Sequence, residues 1–96
     1  MPAAQANVAT ARPSRYLTQL CKHFGQKIPA EYDNENGTTT FETGTCTMQA
    51  RDGVLRLHAE AGNDDNLRQL QDVVGSHLER FGARDELTVQ WTPVTS

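Results

Sequence analysis

The chain has 96 residues, a formal net charge of -3 at neutral pH and two cysteines, Cys21 and Cys46. That length holds one domain with one core, and the acidic balance is the wrong sign for electrostatic binding of nucleic acid. No apolar run reaches the ~20 residues of a membrane span.

The opening Met1-Pro2-Ala3-Ala4-Gln5-Ala6 lacks the charged and apolar regions of a signal peptide. Two cysteines do not make a secreted disulfide framework. A cytoplasmic protein with reduced thiols is expected, one that binds neither nucleic acid nor membrane. Residues 1–6 read as a flexible N-terminus and residues 7–96 as a single α+β domain.

In chain order, Asn7 to Thr10 read as a short strand. Pro13 and Ser14 open a helix whose apolar face is Tyr16, Leu17, Leu20, Cys21 and Phe24, and Gly25 ends it. From Ile28 the period drops to two, with Ile28, Ala30 and Tyr32 alternating with polar residues. Asn36-Gly37 reads as a hairpin turn that sets Tyr32 opposite Phe41. The strand that follows changes parity: Thr39 and Phe41 point inward at odd positions, Cys46, Met48 and Ala50 at even ones. A bulge or break near Thr43-Gly44 is required.

Asp52-Gly53 is the second turn. A two-residue loop pairs Arg51 with Val54, Ala50 with Leu55, Met48 with Leu57 and Cys46 with Ala59, while Thr47 meets His58 on the other face. Asn63-Asp64-Asp65 starts a second helix with a buried stripe of Leu67, Leu70, Val73, Val74, Leu78 and Phe81, and Gly82 stops it. Leu87, Val89 and Trp91 alternate as a last strand. The order β-α-β-β-β-α-β, with half-polar strands, implies a mostly antiparallel sheet of about five strands carrying two helices on one face.

Glycine-rich phosphate loops, paired Cys-x-x-Cys and metalloprotease or hydrolase motifs are missing. What remains is a set of soft ligands on elements that must pack together. Cys46 points inward by the hairpin register, His77 falls in the stripe of the second helix, and Cys21 lies on the apolar face of the first with His23 at its border. Three such side chains suit a transition metal such as zinc or iron. His58 is excluded because the register puts it on the opposite sheet face. Core packing of the thiols and a backbone-bonded His77 are the alternatives. Arg80 and Arg84, beside Asp85 and Glu86, read as helix-end charge with surface ion pairing rather than as an anion site.

The stretch Ser14 to Phe24, Gly44-Thr45-Cys46, His77 to Phe81, Arg84-Asp85-Glu86-Leu87 and Trp91 together resemble a bacterial family known as domain of unknown function 2218. The resemblance runs from about residue 7 to Trp91. The family has no established activity to carry over, but some members are joined to or associated with siderophore-interacting flavin reductases, which points to iron handling. His23, Cys46 and His77 match the family's motifs; where relatives often carry a further histidine, this chain has Gln26. The expectation is a non-enzymatic accessory module that binds a metal or small ligand in iron or siderophore metabolism. Its partners would be a siderophore-interacting reductase or a second copy. The alternatives are a structural interaction module without a ligand and a small thiol-dependent enzyme built on Cys46 and His77.

Overall fold

In the computed structural model, which describes residues 2–94, the chain reverses at Asp52 and Gly53 with φ of 53° and 74°. Two successive positive φ values are what a tight hairpin needs, because only that twist matches the twist of the flanking strands. The turn joins β4 (Gly44–Arg51) to β5 (Val54–Ala61), and every expected pair forms, from Arg51 with Val54 to Thr45 with Glu60. Cys46, Met48, Ala50, Leu55, Leu57, Ala59 and Ala61 therefore share one buried face.

Four further strands complete the sheet: β1 (Ala3–Ala9), β2 (Ala30–Tyr32), β3 (Asn36–Thr40) and β6 (Thr92–Val94). The order is β2-β3-β4-β5-β1-β6, antiparallel throughout. Helices α1 (Pro13–Phe24) and α2 (Asp64–Phe81) cover one face and leave the other to polar side chains such as Thr47, Arg56 and His58. The fold is an open α+β sandwich, with six strands where the sequence indicated about five. Both edge strands are three residues long, and Pro93 lies in one of them, which blunts pairing with another chain.

The extra strand explains the parity change. β3 and β4 are separated by a hairpin in which Phe41 and Gly44 exchange backbone hydrogen bonds (2.7 and 3.2 Å), so Thr39 pairs with Cys46 and odd positions face even ones. The chain breaks at the expected place, by a turn rather than a bulge.

Three expectations need correction. Asn36-Gly37 is not a turn: both residues belong to β3, and Tyr32 pairs with Gly37 instead of facing Phe41. The reversal falls just before them, where the Asp33 carboxylate accepts from the N–H groups of Glu35 and Asn36 (2.8 Å each). Those two bonds also hold the Asp33 pKa below its ordinary value.

The start of the chain is not loose from residue 3 onward. Ala4, Ala6 and Val8 pair with Ala59, Leu57 and Leu55 and are buried, because small side chains fit where the sheet passes beneath α2. Alanine has little strand propensity, and pairing with β5 along the whole strand and with β6 from Ala3 to Gln5 overrides it. Met1, Thr95 and Ser96 lie outside the described residues.

Leu87 to Trp91 is extended but unpaired in the sheet. Its alternation is real, with Leu87 buried and Val89 and Trp91 half-buried, but its partner is α2. The Val89 N–H donates to the Glu79 carboxylate (3.0 Å) instead of to a neighbouring strand. Pairing with β1 begins only at Thr92. This segment lies over Gly75, where a Cβ would stand 3.1 Å from the Trp91 indole nitrogen, so Gly75 is buried while Val73 is 38% exposed.

Candidate functional site

Helix α1 ends at Gly25, whose N–H donates to the Cys21 carbonyl oxygen (2.8 Å). The last turn of α1 therefore delivers His23 and Phe24 beside α2, and the chain leaving it carries Gln26, Lys27 and Ile28 around the same corner. The β3–β4 hairpin adds Phe41, and α2 adds His77. These seven residues line a cavity of about 310 Å³.

Its walls are aromatic. Phe24 stands edge-on to Phe41 with centroids 5.0 Å apart, and Phe81 stands edge-on to His23 at 5.4 Å. The two imidazoles are adjacent, with centroids 5.0 Å apart and planes at 42°. His77 also lies 5.2 Å from Phe24. Edge-to-face packing of this kind contributes about 0.5–1.5 kcal/mol per pair beyond area burial, so the rings hold one another in place.

His77 has a defined tautomer. Its Nδ1 lies 2.7 Å from the Val73 carbonyl oxygen, one helical turn back. A carbonyl oxygen can only accept, so Nδ1 carries a proton, and Nε2 is left for another partner. A backbone carbonyl oriented on one ring nitrogen is the usual second contact of a metal-binding histidine, and equally of a core histidine.

Cys46 does not join this pair. Its side chain is fully buried in the sheet-facing core, where the thiol lies 3.8 Å from the Thr47 carbonyl oxygen. Among the described residues, no three His, Cys, Asp or Glu side chains are grouped closely enough to hold a metal ion. Of the three expected ligands, the fold brings together His23 and His77. Burial pushes the Cys46 pKa up to about 12, with the nearby Cys21 adding to the effect. A buried thiol that keeps its proton is a poor nucleophile, and the burial of Cys46 favours core packing as its role.

Cys21 is likewise buried, 4.0 Å from the Met48 sulfur, and burial raises its pKa to about 11. His58 sits on the open sheet face, 3.2 Å from Glu60, as its exclusion required. Asp85 is not paired with Arg80 or Arg84 but accepts the hydroxyl hydrogen of Tyr16, a bond that raises the tyrosine pKa more than burial does.

Sequence reasoning took Phe24 and Phe81 only as core and gave Ile28 and Phe41 strand roles. Lys27 reads in the sequence only as a polar residue of that alternation. The pocket becomes visible only once the β3–β4 hairpin brings Phe41 to the end of α1.

No helix among the described residues is long and apolar enough to cross a membrane. No curated protein matches the chain. The solved NMR structure of PA4090 from Pseudomonas aeruginosa is similar: 30% of residues are identical, all of both chains is covered, and the TM-score is 0.83. A family model described as an uncharacterized protein conserved in bacteria (DUF2218) matches residues 5–92, and the chain belongs to that family.

Proposed function

We propose that this domain is a non-enzymatic binding module that takes a small planar ligand, alone or with a transition metal such as zinc or iron, in the His23–His77 pocket. The observation that carries the reading is the convergence of two imidazoles from different helices on an aromatic-walled recess of about 310 Å³. A recess of that size with apolar walls and a few polar groups has the make-up of a small-ligand site.

The division of labour follows from the lining. Phe24, Ile28 and Phe41 offer flat apolar surface, while His23, His77, Gln26 and Lys27 offer polar contacts that fix orientation. The family resemblance supplies the setting, iron or siderophore metabolism beside a siderophore-interacting reductase, and the two free buried thiols suit a cytoplasmic one. Self-association through strand addition gains little support, because both sheet edges are short.

Calorimetric titration with 2,3-dihydroxybenzoate, in the presence and absence of zinc, tests the reading. Saturable binding is expected in at least one condition, weakened about tenfold, or ~1.4 kcal/mol, by His77→Gln. An affinity indifferent to His77→Gln, or no binding in either condition, would overturn it.

A further inference from the structure

Lys27 gives the pocket a sign of charge, and the inference drawn from it rests on the pocket reading above: we propose that the occupant is an aromatic carboxylate, held with its ring against Phe24, Ile28 and Phe41 and its carboxylate on Lys27. Recognition of that group needs no metal ion.

The lining residues divide by what they can bind. Phe24, Ile28 and Phe41 offer apolar surface. A neutral imidazole or a carboxamide has both a donor and an acceptor, so His23, His77 and Gln26 suit ligands of either sign. An ammonium group only donates, and it carries its positive charge at neutral pH. Lys27 is therefore the lining residue on which the charge of the ligand turns. Aromatic walls can also hold an organic cation, but a cation here would meet the like charge of Lys27.

The backbone fixes where Lys27 starts. The Phe24 carbonyl oxygen accepts from the N–H groups of Lys27 (3.1 Å) and Ile28 (3.0 Å), and the Thr40 N–H donates to the Pro29 carbonyl oxygen (3.0 Å). The segment that carries Lys27 thus runs between the two elements that carry Phe24 and Phe41, whose rings stand edge-on with centroids 5.0 Å apart. The C-terminal end of a helix ordinarily repels an anion, because its unpaired carbonyls bear partial negative charge. At the end of α1 those of Cys21, His23 and Phe24 are occupied, by the N–H groups of Gly25, Gln26, Lys27 and Ile28. Lys27 adds the positive charge that such a helix end favours.

Three ligands with one ring test the inference: 2,3-dihydroxybenzoate, the neutral 2,3-dihydroxybenzamide and the cationic 2,3-dihydroxybenzylamine. Each is titrated calorimetrically, without metal, into the parent protein and into Lys27→Gln and Lys22→Gln. Both lysines are exposed, and Lys22 is not on the lining, so its variant removes a nearby charge without removing the contact. The carboxylate is expected to bind about tenfold tighter than the amide, and the amine more weakly than either. Lys27→Gln should bring carboxylate and amide to within about twofold of each other, while Lys22→Gln keeps the gap near tenfold. Equal affinities for carboxylate and amide in the parent would overturn the inference and leave the small-ligand pocket intact. So would a preference for the amine, a gap that survives Lys27→Gln, or one that Lys22→Gln closes equally. Failure of all three ligands to bind, with zinc present as well as absent, would remove the pocket reading itself.

Discussion

Gly37 lies directly beneath Cys21: a Cβ added to Gly37 would stand 2.8 Å from the Cys21 sulfur and 3.3 Å from Leu17 Cδ2. The glycine that looks like half of a turn is instead the point where helix α1 presses closest to the sheet. Because the backbone there is an ordinary strand, its requirement is for space and not for an unusual φ.

Gly37→Ala should therefore cost about 1–3 kcal/mol through overpacking, read as a lowered urea midpoint at unchanged slope. In a Cys21→Ala background the sulfur is gone, and the cost of Gly37→Ala should shrink. Equal costs in the two backgrounds would contradict the contact.

Gly53 is constrained by its backbone. With φ at 74°, alanine there carries the left-handed penalty of about 1–2 kcal/mol, although the nearest neighbour, the Thr10 carbonyl oxygen, is an ordinary 3.8 Å away. Gly53→Ala should lower thermal stability without altering the spectrum of the folded state, which a melting curve and a heteronuclear NMR map can check together.

Tyr16 and Asp85 link the start of α1 to the short 3-10 turn at Ala83–Asp85 that follows α2. Tyr16→Phe keeps the packing and removes the bond to the carboxylate, so a loss of about 1.5–3 kcal/mol is expected, the range for hydrogen bonds to charged groups. Adding Asp85→Asn to Tyr16→Phe should then cost little more. Chemical denaturation of the parent, the two single variants and the double variant gives the coupling.

The two thiols set an alkaline limit. Both have folded-state pKa values raised by burial, Cys21 to about 11 and Cys46 to about 12, from an ordinary 9.0. A raised acid pKa means that the folded state keeps its proton while the unfolded state loses it. The stabilising contribution is thus fully present below pH 9 and is lost as pH rises from there towards 11 and 12. The slope is about 1.4 kcal/mol per pH unit for each thiol so affected. Urea unfolding from pH 8 to 10.5 should show stability falling with pH, and Cys46→Ala should flatten the fall. Below pH 9, neither thiol should react with a disulfide reagent until the chain unfolds.

The parts of the fold legible in the sequence are those where two independent signals coincide. At Asp52-Gly53, turn chemistry and hydrophobic alternation demand the same register, and all the expected pairs form. At Asn36-Gly37 a single local signal stood alone, and the Asp33 carboxylate offered the backbone a better reversal three residues earlier. Leu87 to Trp91 shows the limit of periodicity: alternation reports which side chains are covered, not whether a strand or a helix covers them. Trp91 lies against Gly75 of α2, an encounter between residues whose own patterns say nothing of each other.

The site divides in the same way. His23 and His77 were legible because helical spacing places them at the border and within the stripe of two helices that must share a core. Cys46 was correctly turned inward but wrongly grouped with them, since facing the core fixes a direction and not a distance. Lys27 and Phe41 reach the pocket through loop paths that neither periodicity nor turn chemistry specifies.

The central claim is that the corner formed by the end of α1, the β3–β4 hairpin and the middle of α2 is where this domain meets its ligand. Backbone-amide NMR mapping during addition of 2,3-dihydroxybenzoate with zinc tests it most directly. Perturbations should concentrate at residues 23–28, 41 and 77 and fade across the polar sheet face around Thr47, Arg56 and His58. A map centred on that open face, or an unchanged spectrum at saturating ligand, would contradict the account.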